Sequence, residues 1–322
     1  MALSTLEALV HTIRYEAEHV ISVELRPARP ETEFPMHTAG AHIDLHLPGG
    51  LVRSYSLCNA QGDGGRYIVG VLHDRNSRGG SRYVHQQLRV GARLQISAPR
   101  NNFGLDETAP HSVLVAGGIG ITPIYTMVRR LRTLGKSADL IYCARSRKEA
   151  AFAEELTELA QDGIKLTWHF DEEAGGPPDL AALLGGRGEK SHYYCCGPGP
   201  MLSSFEKTCG QLGLRQVHVE RFAAETPAAA QAPANACVVE LAISGRTVNV
   251  QPGESILDRL LAEGFDLNYS CKEGICGACE TKVLAGEVDH RDSLLSDDEK
   301  AANKTMMICV SRCKSGKLIL DI

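Results

Sequence analysis

The sequence has little excess charge of either sign and no long uninterrupted apolar run. Its net charge is −5 and its pI is about 6.2, so we do not expect the basic surface that phosphate backbones or anionic lipids attract. The most apolar stretch, residues 112–128, contains three glycines and a proline and is too short to span a bilayer. The first 20 residues lack the basic start and apolar core of a secretory signal. We therefore expect a cytoplasmic protein that binds neither nucleic acid nor membrane.

The chain has 322 residues, more than one hydrophobic core usually fills, so two or three domains are expected. Residues 12–104 have almost no helical periodicity and contain short alternating runs such as HIDLHL, YIVGVL and RLQIS, which predict an antiparallel barrel or sandwich. Residues 111–222 alternate strands with helical stretches: SVLVA, PIYTMVRRLRTLG, DLIYCA, AAFAEELTELA and LTWHF. Such alternation predicts a parallel sheet wound with helices.

A low-complexity run, AAETPAAAQAPANA at residues 223–236, has too little apolar bulk to pack and indicates an interdomain linker. The sequence beyond it opens with two strand-like segments, VVELAI and RTVNV, and forms a unit of its own. The predicted boundaries are 1–105 for the barrel, 106–225 for the α/β domain, 226–236 for the linker and 237–322 for the last domain.

Four of the eleven cysteines form an ordered pattern: Cys271, Cys276, Cys279 and Cys309. The C-x4-C-x2-C spacing with a distant fourth cysteine is that of a plant-type 2Fe-2S cluster, and the small residues between the first three let backbone N–H groups approach the sulfur atoms. Structural zinc is the alternative, although zinc prefers two closely spaced cysteine pairs. Cys313 is a rival for the fourth ligand. Most of the remaining cysteines are interpreted as plain buried thiols.

Two segments of the barrel suit an anionic cofactor with a flat ring. The first offers a cation, an aromatic face and two hydroxyls at the end of a strand, and the second offers paired glycines that can close on a phosphate at a helix start. An ordinary strand end and an ordinary turn are the respective alternatives. The two segments are Arg53, Ser54, Tyr55 and Ser56, and Arg78, Gly79, Gly80 and Ser81.

Two segments of the α/β domain suit a nucleotide. Residues 115–123, VAGGIGITP, follow an apolar strand and lead into a helix, with Pro123 suited to its first turn. This is not the G-x-G-x-x-G fingerprint. Cys196 and Gly197 lie at the end of a later strand, where open α/β sheets bind ligands; a buried structural thiol is the alternative for Cys196.

In order, the motifs RSYS, RGGS, AGGIGITP, CCGPGPM, CKEGICGAC and MMICVSR resemble those of the phthalate dioxygenase reductase family, which includes the vanillate O-demethylase reductases. The resemblance implies an antiparallel flavin-binding β-barrel, a parallel α/β nicotinamide domain of the ferredoxin-reductase type and a C-terminal plant-type ferredoxin β-grasp. The implied cofactors are FMN, NADH and the 2Fe-2S cluster. FMN is favoured over FAD because RGGS replaces the P-x-G-x-x-S type loop of FAD-binding relatives.

The same resemblance implies residue roles. Arg53, Tyr55 and Ser56 would line the flavin, with Ser56 near N5, while the RGGS segment would hold its phosphate. Cys196 and Gly197 would lie beside the nicotinamide ring, and Cys309 rather than Cys313 would bind iron. The other implied NADH contacts are Gly117, Gly118, Gly120, Thr122 and Pro123.

Two residues near the end of the α/β domain complete the implied flavin site. Phe222 is similar to the aromatic that stacks on the flavin, and Glu220 to the acid beside it; a core aromatic and a surface carboxylate are the alternatives. The implied catalytic residues are Ser56, Cys196 and Glu220. A basic run at residues 145–148, RSRK, leaves NADPH open, because basic side chains there could bind a 2′-phosphate.

The predicted function follows from electron counting. NADH gives up two electrons as a hydride, whereas a 2Fe-2S cluster accepts one, so a flavin must stand between them. We expect the reductase component of an oxygenase system, serving a terminal oxygenase, most simply of the Rieske type. A cytochrome-type monooxygenase is an alternative acceptor, and a ferredoxin-like carrier without NADH oxidation is an alternative function. Residues 237–322 carry −4 of the charge, which favours a partner with a positive patch.

Overall fold

A computed structural model describes residues 5–29, 31–75, 77–160, 163–188, 190–223 and 236–322. The chain divides into two compact units, Ser4–Glu220 and Arg221–Ile322. The predicted linker, 226–236, lies outside the described residues except for its last position. No helix among the described residues has the length and apolar character that crossing a bilayer requires.

The first part of the first unit is an antiparallel sheet with the order β4-β3-β6-β1-β2-β5. A bridge between Leu57 and Val69 joins its two edges, so the sheet closes on itself as a barrel. Apolar residues alternate along β3 and fill the interior with Ile43 and Leu45, both fully buried. The elements are β1 Thr5–Ala17, β2 Val20–Pro27, β3 His42–Leu47, β4 Leu51–Ser56, β5 Tyr67–Leu72, α1 Gly80–Gln86 and β6 Arg93–Ser97.

The second part is an all-parallel sheet with the order β11-β10-β7-β8-β9. Successive strands run outward from β7 on one side, and β10 then returns to its other side. The carboxyl ends of β7 and β10 therefore form the switch point at which such sheets bind ligands. The elements are β7 Ser112–Gly117, α2 Ile121–Thr133, β8 Ala138–Ala144, α3 Ala153–Leu159, β9 Ile164–Phe170, α4 Asp171–Ala174, α5 Leu180–Leu184, β10 His192–Cys196, α6 Gly199–Gln211 and β11 Val217–Glu220.

The barrel and the parallel sheet pack together within the first unit. A Cβ placed on Gly70 of β5 would lie 2.6 Å from the Thr122 methyl group of α2, so only glycine allows this approach. The Gly40 amide donates to the Thr126 hydroxyl at 3.1 Å. The start of α2 is therefore held from both sides, by the barrel and by its own sheet.

The second unit is a mixed sheet with the order β13-β12-β18-β14-β16, in which β12 and β18 are parallel, and a small β15-β17 ladder. Helix α7 buries Leu257 and Leu260 in the same hydrophobic cluster as this sheet, and Ser255 caps the helix by accepting from the Asp258 amide. The elements are β12 Cys237–Leu241, β13 Thr247–Val250, α7 Ile256–Ala262, β14 Glu280–Ala285, β15 Val288–Asp289, α8 Asp297–Ala302, β16 Thr305–Met307, β17 Arg312–Cys313 and β18 Lys317–Leu320.

Candidate functional site

The two predicted flavin segments meet in the barrel. The Arg53 guanidinium donates from Nη2 to the Arg78 carbonyl at 3.0 Å and from Nη1 to the Val52 carbonyl at 2.8 Å. A Cβ on Gly80 would lie 2.5 Å from Arg53 Cγ, and Gly79 has a φ of 100°, which favours glycine. Arg53 and the glycine pair therefore form one continuous wall, although they are about 25 residues apart in sequence.

Ser77, which the sequence analysis missed, organises the second segment. Its hydroxyl accepts from the Gly79 amide and the Arg82 amide, each at 3.2 Å, and from the Ser81 hydroxyl at 2.9 Å. The available signal was a serine just before a glycine pair and a helix start, where a hydroxyl can satisfy unpaired amides. The predicted phosphate-binding residue Ser81 is thus already oriented by a neighbouring hydroxyl.

Asp44 anchors Ser54 from behind the flavin-lining strand. The Ser54 hydroxyl donates to Asp44 Oδ1 at 2.7 Å, and Arg100 donates to Asp44 Oδ2 at 2.8 Å. Burial disfavours the charged carboxylate, but Arg100 and Ser54 outweigh it and hold the pKa of Asp44 below its ordinary value. The sequence analysis missed Asp44 and Arg100. The alternation of HIDLHL, which puts His42 and Asp44 on one face, was the signal available.

Ser56 lies in register opposite His42 on the neighbouring strand and is only 3% exposed. Its Oγ is buried without a hydrogen-bond partner, as is His42 Nδ1. Burial, and then Arg100, lower the pKa of His42 to about 4, so the ring is neutral at pH 7. An unpartnered buried hydroxyl costs about 1–3 kcal/mol, and a ring nitrogen of a bound flavin would supply the missing partner.

Tyr55 completes the wall as an uncharged phenol. Burial raises its pKa to about 12, and the neighbouring Arg53 offsets only part of this effect. The barrel therefore offers a cation, a neutral aromatic side chain and an unpartnered hydroxyl within one strand. These residues fit an anionic flavin.

The two predicted nucleotide segments meet at the switch point of the parallel sheet. A Cβ on Gly120 would lie 2.1 Å from the Cys196 carbonyl oxygen, and one on Gly117 would lie 3.3 Å from Gly197 Cα. Gly118 has a φ of 53°, and a Cβ there would meet nothing within 4 Å. These glycines let the ends of β7 and β10 approach closely while leaving an open backbone surface for a nucleotide.

Thr122 and Pro123 are buried at the start of α2. The Thr122 hydroxyl donates to the Ile119 carbonyl at 2.9 Å, and Thr122 is 1% exposed. Both side chains are enclosed by protein, where they fix the helix start. Their predicted contact with NADH stays a prediction.

Cys196 and Glu220 are register partners on the adjacent parallel strands β10 and β11. Burial raises the pKa of the Cys196 thiol well above its ordinary value, and the Glu220 carboxylate raises it further. Burial likewise raises the pKa of Glu220 to about 8, and Glu220 Oε2 has no hydrogen-bond partner. At neutral pH the pair therefore presents a thiol and a protonated carboxyl group, both uncharged.

Two further predicted features are Phe222 and the basic run at residues 145–148. Phe222 is 40% exposed and belongs to the second compact unit, so its stacking on flavin stays a prediction. Arg147 pairs with both carboxylate oxygens of Glu173, at 2.6 and 2.9 Å, and its guanidinium lies 4.5 Å from the Phe170 ring centroid. Glu173 thus compensates the charge of one basic residue of the run.

The four predicted iron ligands lie in the second unit as two thiol pairs. One side-chain hydrogen bond joins Cys271 to Cys276, and another joins Cys279 to Cys309. The hydrogen bond from Cys276 is the largest cause that lowers the pKa of Cys271 to about 6, and backbone amides of the loop add to it. Two thiol pairs lined with amide donors fit a cluster of two irons, with two sulfur ligands for each iron.

Glycine is required in the loop that carries three of the ligands. Gly274 has a φ of 70°, and a Cβ there would lie 2.5 Å from Val310 Cγ2 and 3.0 Å from Asp292 Cα. Cys313 instead shares a side-chain hydrogen bond with Cys237. The geometry therefore favours Cys309 over Cys313 as the fourth ligand.

These features define a class: an oxidoreductase that joins a nicotinamide-nucleotide domain to a 2Fe-2S domain. Residues 114–207 match the family model of the oxidoreductase NAD-binding domain, and residues 239–314 match that of the 2Fe-2S iron-sulfur cluster binding domain. The chain is 50% identical to tetrachlorobenzoquinone reductase of Sphingobium chlorophenolicum, over 99% of this chain and 98% of that protein. It is 48% identical to phenoxybenzoate dioxygenase subunit beta of Ectopseudomonas oleovorans, over 97% and 96% respectively.

Two solved structures extend the comparison. Phthalate dioxygenase reductase, described as modular for electron transfer from pyridine nucleotides to [2Fe-2S], matches with a TM-score of 0.69 and 34% identity, over 99% of this chain and 98% of that one. The chain belongs to the phthalate dioxygenase reductase family. An intact self-sufficient type IV cytochrome P450 monooxygenase matches with a TM-score of 0.89 and 37% identity over 99% of this chain, which spans 41% of that protein.

The comparisons confirm the family, the three-part fold class and the oxidoreductase class predicted from the sequence. The predicted cofactor set, FMN, NADH and a 2Fe-2S cluster, is that of the family. The domain boundaries and the roles of individual site residues stay predictions.

Proposed function

We propose that this chain is the NADH-dependent reductase component of an oxygenase system, delivering electrons to a Rieske-type aromatic ring hydroxylase or O-demethylase. The observation that supports the proposal is the presence, in one chain, of a glycine-lined switch point, an unpartnered buried hydroxyl on Ser56 and two thiol pairs. The name of the dioxygenase subunit relative supports an oxygenase as partner. The domain boundaries 1–105, 106–225 and 237–322 are part of the proposal.

FMN, when bound, would supply the chemistry that links a two-electron hydride donor to a one-electron cluster. The chain's own residues bind and orient. Gly117, Gly118 and Gly120 admit the nucleotide, while Arg53 and the RGGS segment bind the flavin and its phosphate. Ser56 would donate a hydrogen bond at the N5 edge of the ring. Cys196 and Glu220 keep the nicotinamide side of the site free of fixed charge while Glu220 is protonated.

NADH rather than NADPH is supported by the carboxylate of Glu173, which is salt-bridged to Arg147. A 2′-phosphate would have to displace that carboxylate or lie against it. The eleven free cysteines and the nicotinamide substrate support a reducing, cytoplasmic location. A cytochrome P450 is a second candidate acceptor, favoured by the similarity of this whole chain to part of a self-sufficient P450 monooxygenase.

The first experiment is anaerobic addition of NADH to the purified holoprotein. Loss of flavin and cluster absorbance is expected, and a chain that is only a ferredoxin-like carrier would show no response. NADH-driven turnover is then measured with a purified Rieske oxygenase, with a P450 and with a halogenated benzoquinone, the last suggested by the name of a relative. Coupled product formation with the P450 or the quinone alone would replace the Rieske assignment.

A further inference from the structure

A second pair of cysteines lies in the iron-sulfur unit, outside the four predicted iron ligands. Cys237 is the first residue of β12, and Cys313 is the last residue of β17. The Val238 amide donates to the Gly316 carbonyl at 3.0 Å, and Val238 pairs in parallel with Lys317. The start of β12 therefore runs beside the segment that follows Cys313, and Cys313 packs against the hydrophobic cluster that contains Cys237.

The two thiols interact and differ in access. A side-chain hydrogen bond joins them, and a disulfide would shorten this contact to about 2.05 Å between the sulfur atoms. Cys237 is buried, at 5% exposure, whereas Cys313 is partly exposed and lies 3.9 Å from the Ser315 hydroxyl. Burial, and then the hydrogen bond with Cys313, raise the pKa of Cys237 to about 12, so the partly exposed Cys313 is the thiol that reacts first with a small oxidant and Cys237 reacts second, with the oxidised Cys313.

We propose that Cys237 and Cys313 form a reversible disulfide in response to hydroperoxides, a modification site beside the iron-sulfur cluster. Cys313 follows the iron ligand Cys309 by four residues, so the bond ties the segment carrying the fourth ligand to the first strand of the unit. The inference does not depend on the oxygenase partner. A flavoprotein that meets oxygen while reduced is a source of hydrogen peroxide, which makes this oxidant class relevant to the chain.

The chemistry balances in two steps. The Cys313 thiolate attacks hydrogen peroxide, the O–O bond breaks, and Cys313 sulfenic acid and hydroxide form; hydroxide takes up the thiol proton and becomes water. The Cys237 sulfur then attacks the Cys313 sulfur, the S–O bond breaks, and the disulfide and a second water form. The two sulfur atoms together lose two electrons, and a dithiol reductant restores both thiols.

The test uses the holoprotein, reduced, freed of reductant and exposed to one equivalent of hydrogen peroxide while the cluster absorbance is recorded. Free thiols are blocked with N-ethylmaleimide, and the digest is analysed by mass spectrometry. We expect a cross-linked peptide containing both cysteines, lost on dithiothreitol treatment, with cluster absorbance intact. The Cys209→Ala variant, which removes an unrelated buried thiol of α6, should form the same cross-link.

Two variants make the result specific and report on folding by their visible spectra. Cys313→Ser should retain the cluster and form no cross-link, and Cys237→Ser should leave a Cys313 sulfenic acid that dimedone traps. A Cys309–Cys313 link, a cross-link that appears only after the cluster has been lost, or an unmodified pair at one equivalent of peroxide would each overturn the proposal.

Discussion

Ser54 and Ser56 are the same residue type two positions apart on β4, yet their hydroxyls have different surroundings. Ser54 donates to the buried carboxylate of Asp44 at 2.7 Å, whereas Ser56 Oγ has no partner. Removing a satisfied hydroxyl leaves its acceptor unpaired, and removing an unsatisfied one removes a desolvation cost. Alanine at position 56 should therefore affect flavin reduction and not stability, whereas alanine at position 54 should affect stability and not flavin reduction.

Ser56→Ala should leave the free energy of unfolding unchanged or higher, because the lost hydroxyl has no partner in the protein. Flavin reduction by NADH should slow by roughly tenfold, the equivalent of one lost hydrogen bond. Anaerobic stopped-flow absorbance measures the rate. A rate equal to that of the native protein would show that the hydroxyl does not contact the flavin.

Ser54→Ala is the matched control on the same strand. It should lower the free energy of unfolding by about 1–3 kcal/mol, because Asp44 Oδ1 loses its donor in a buried site. The rate of flavin reduction per bound flavin should change little. Urea denaturation monitored by circular dichroism gives the first quantity, and the same stopped-flow assay gives the second.

Glu220 predicts a pH dependence with a definite sign. Its pKa is raised to about 8 by burial, so between pH 4.5 and 8 the folded chain holds a proton that the unfolded chain has released. The stability contributed by this group is complete below pH 4.5 and is lost as pH rises through 8, at up to about 1.4 kcal/mol per pH unit. Glu220→Gln cannot titrate, so its stability relative to the native protein should rise from pH 5.5 to 8.5. Urea denaturation gives the free energy of unfolding of both proteins. An equal difference between the variant and the native protein at the two pH values would contradict the raised pKa of Glu220.

At the scale of elements, the proposed nucleotide site depends on the contact between the start of α2 and the end of β10. Gly120→Ala would place a methyl group 2.1 Å from the Cys196 carbonyl oxygen, and overpacking of this kind typically costs about 1–3 kcal/mol. The helix should shift away from β10, raising KM for NADH and lowering Tm. Gly199→Ala is the control, since a Cβ there meets nothing within 4 Å. Equal KM values for the two variants would show that the close contact between Gly120 and Cys196 is not needed for NADH binding.

Elements with a clear period were predictable from the sequence. The runs HIDLHL, YIVGVL and RLQIS coincide with β3, β5 and β6, because alternation and flanking turns are local signals. Pro123 lies in the first turn of α2, which begins at Ile121, as its position after the glycine-rich segment predicted. The C-x4-C-x2-C spacing also predicted an iron-sulfur site with three of its four ligands in one loop.

Contacts between distant segments were not predictable in the same way. Asp44 meets Arg100 across 56 positions, and Arg53 meets the Arg78 carbonyl across 25. These pairs depend on strand order and barrel closure, which no local pattern encodes. The choice of Cys309 over Cys313 as the fourth ligand likewise depends on the position of Cys237 in the folded chain. From the sequence alone, only the family resemblance favoured Cys309.

At the scale of the whole molecule, the chain separates two kinds of chemistry between two compact units. The predicted nucleotide and flavin residues other than Phe222 lie in Ser4–Glu220, and the predicted iron ligands lie in Arg221–Ile322. Each unit has its own hydrophobic core. Damage to the cluster should therefore leave the two-electron half of the reaction operating in the first unit.

Cys309→Ser should abolish the 2Fe-2S absorbance and EPR signal, because serine replaces a predicted iron ligand that is paired with Cys279. NADH-dependent reduction of ferricyanide, which the flavin can perform directly, should stay within about twofold of the native rate, since no predicted flavin or nucleotide contact in the first unit changes. Cytochrome c reduction through the cluster should fall by more than about tenfold, as expected when an essential redox centre is removed.

Cys313→Ser is the matched control and should keep both activities, because its thiol faces Cys237. If the cluster were lost in Cys313→Ser and retained in Cys309→Ser, Cys313 would be the fourth ligand. Loss of ferricyanide reduction in Cys309→Ser would show that the activity of the first unit depends on the second.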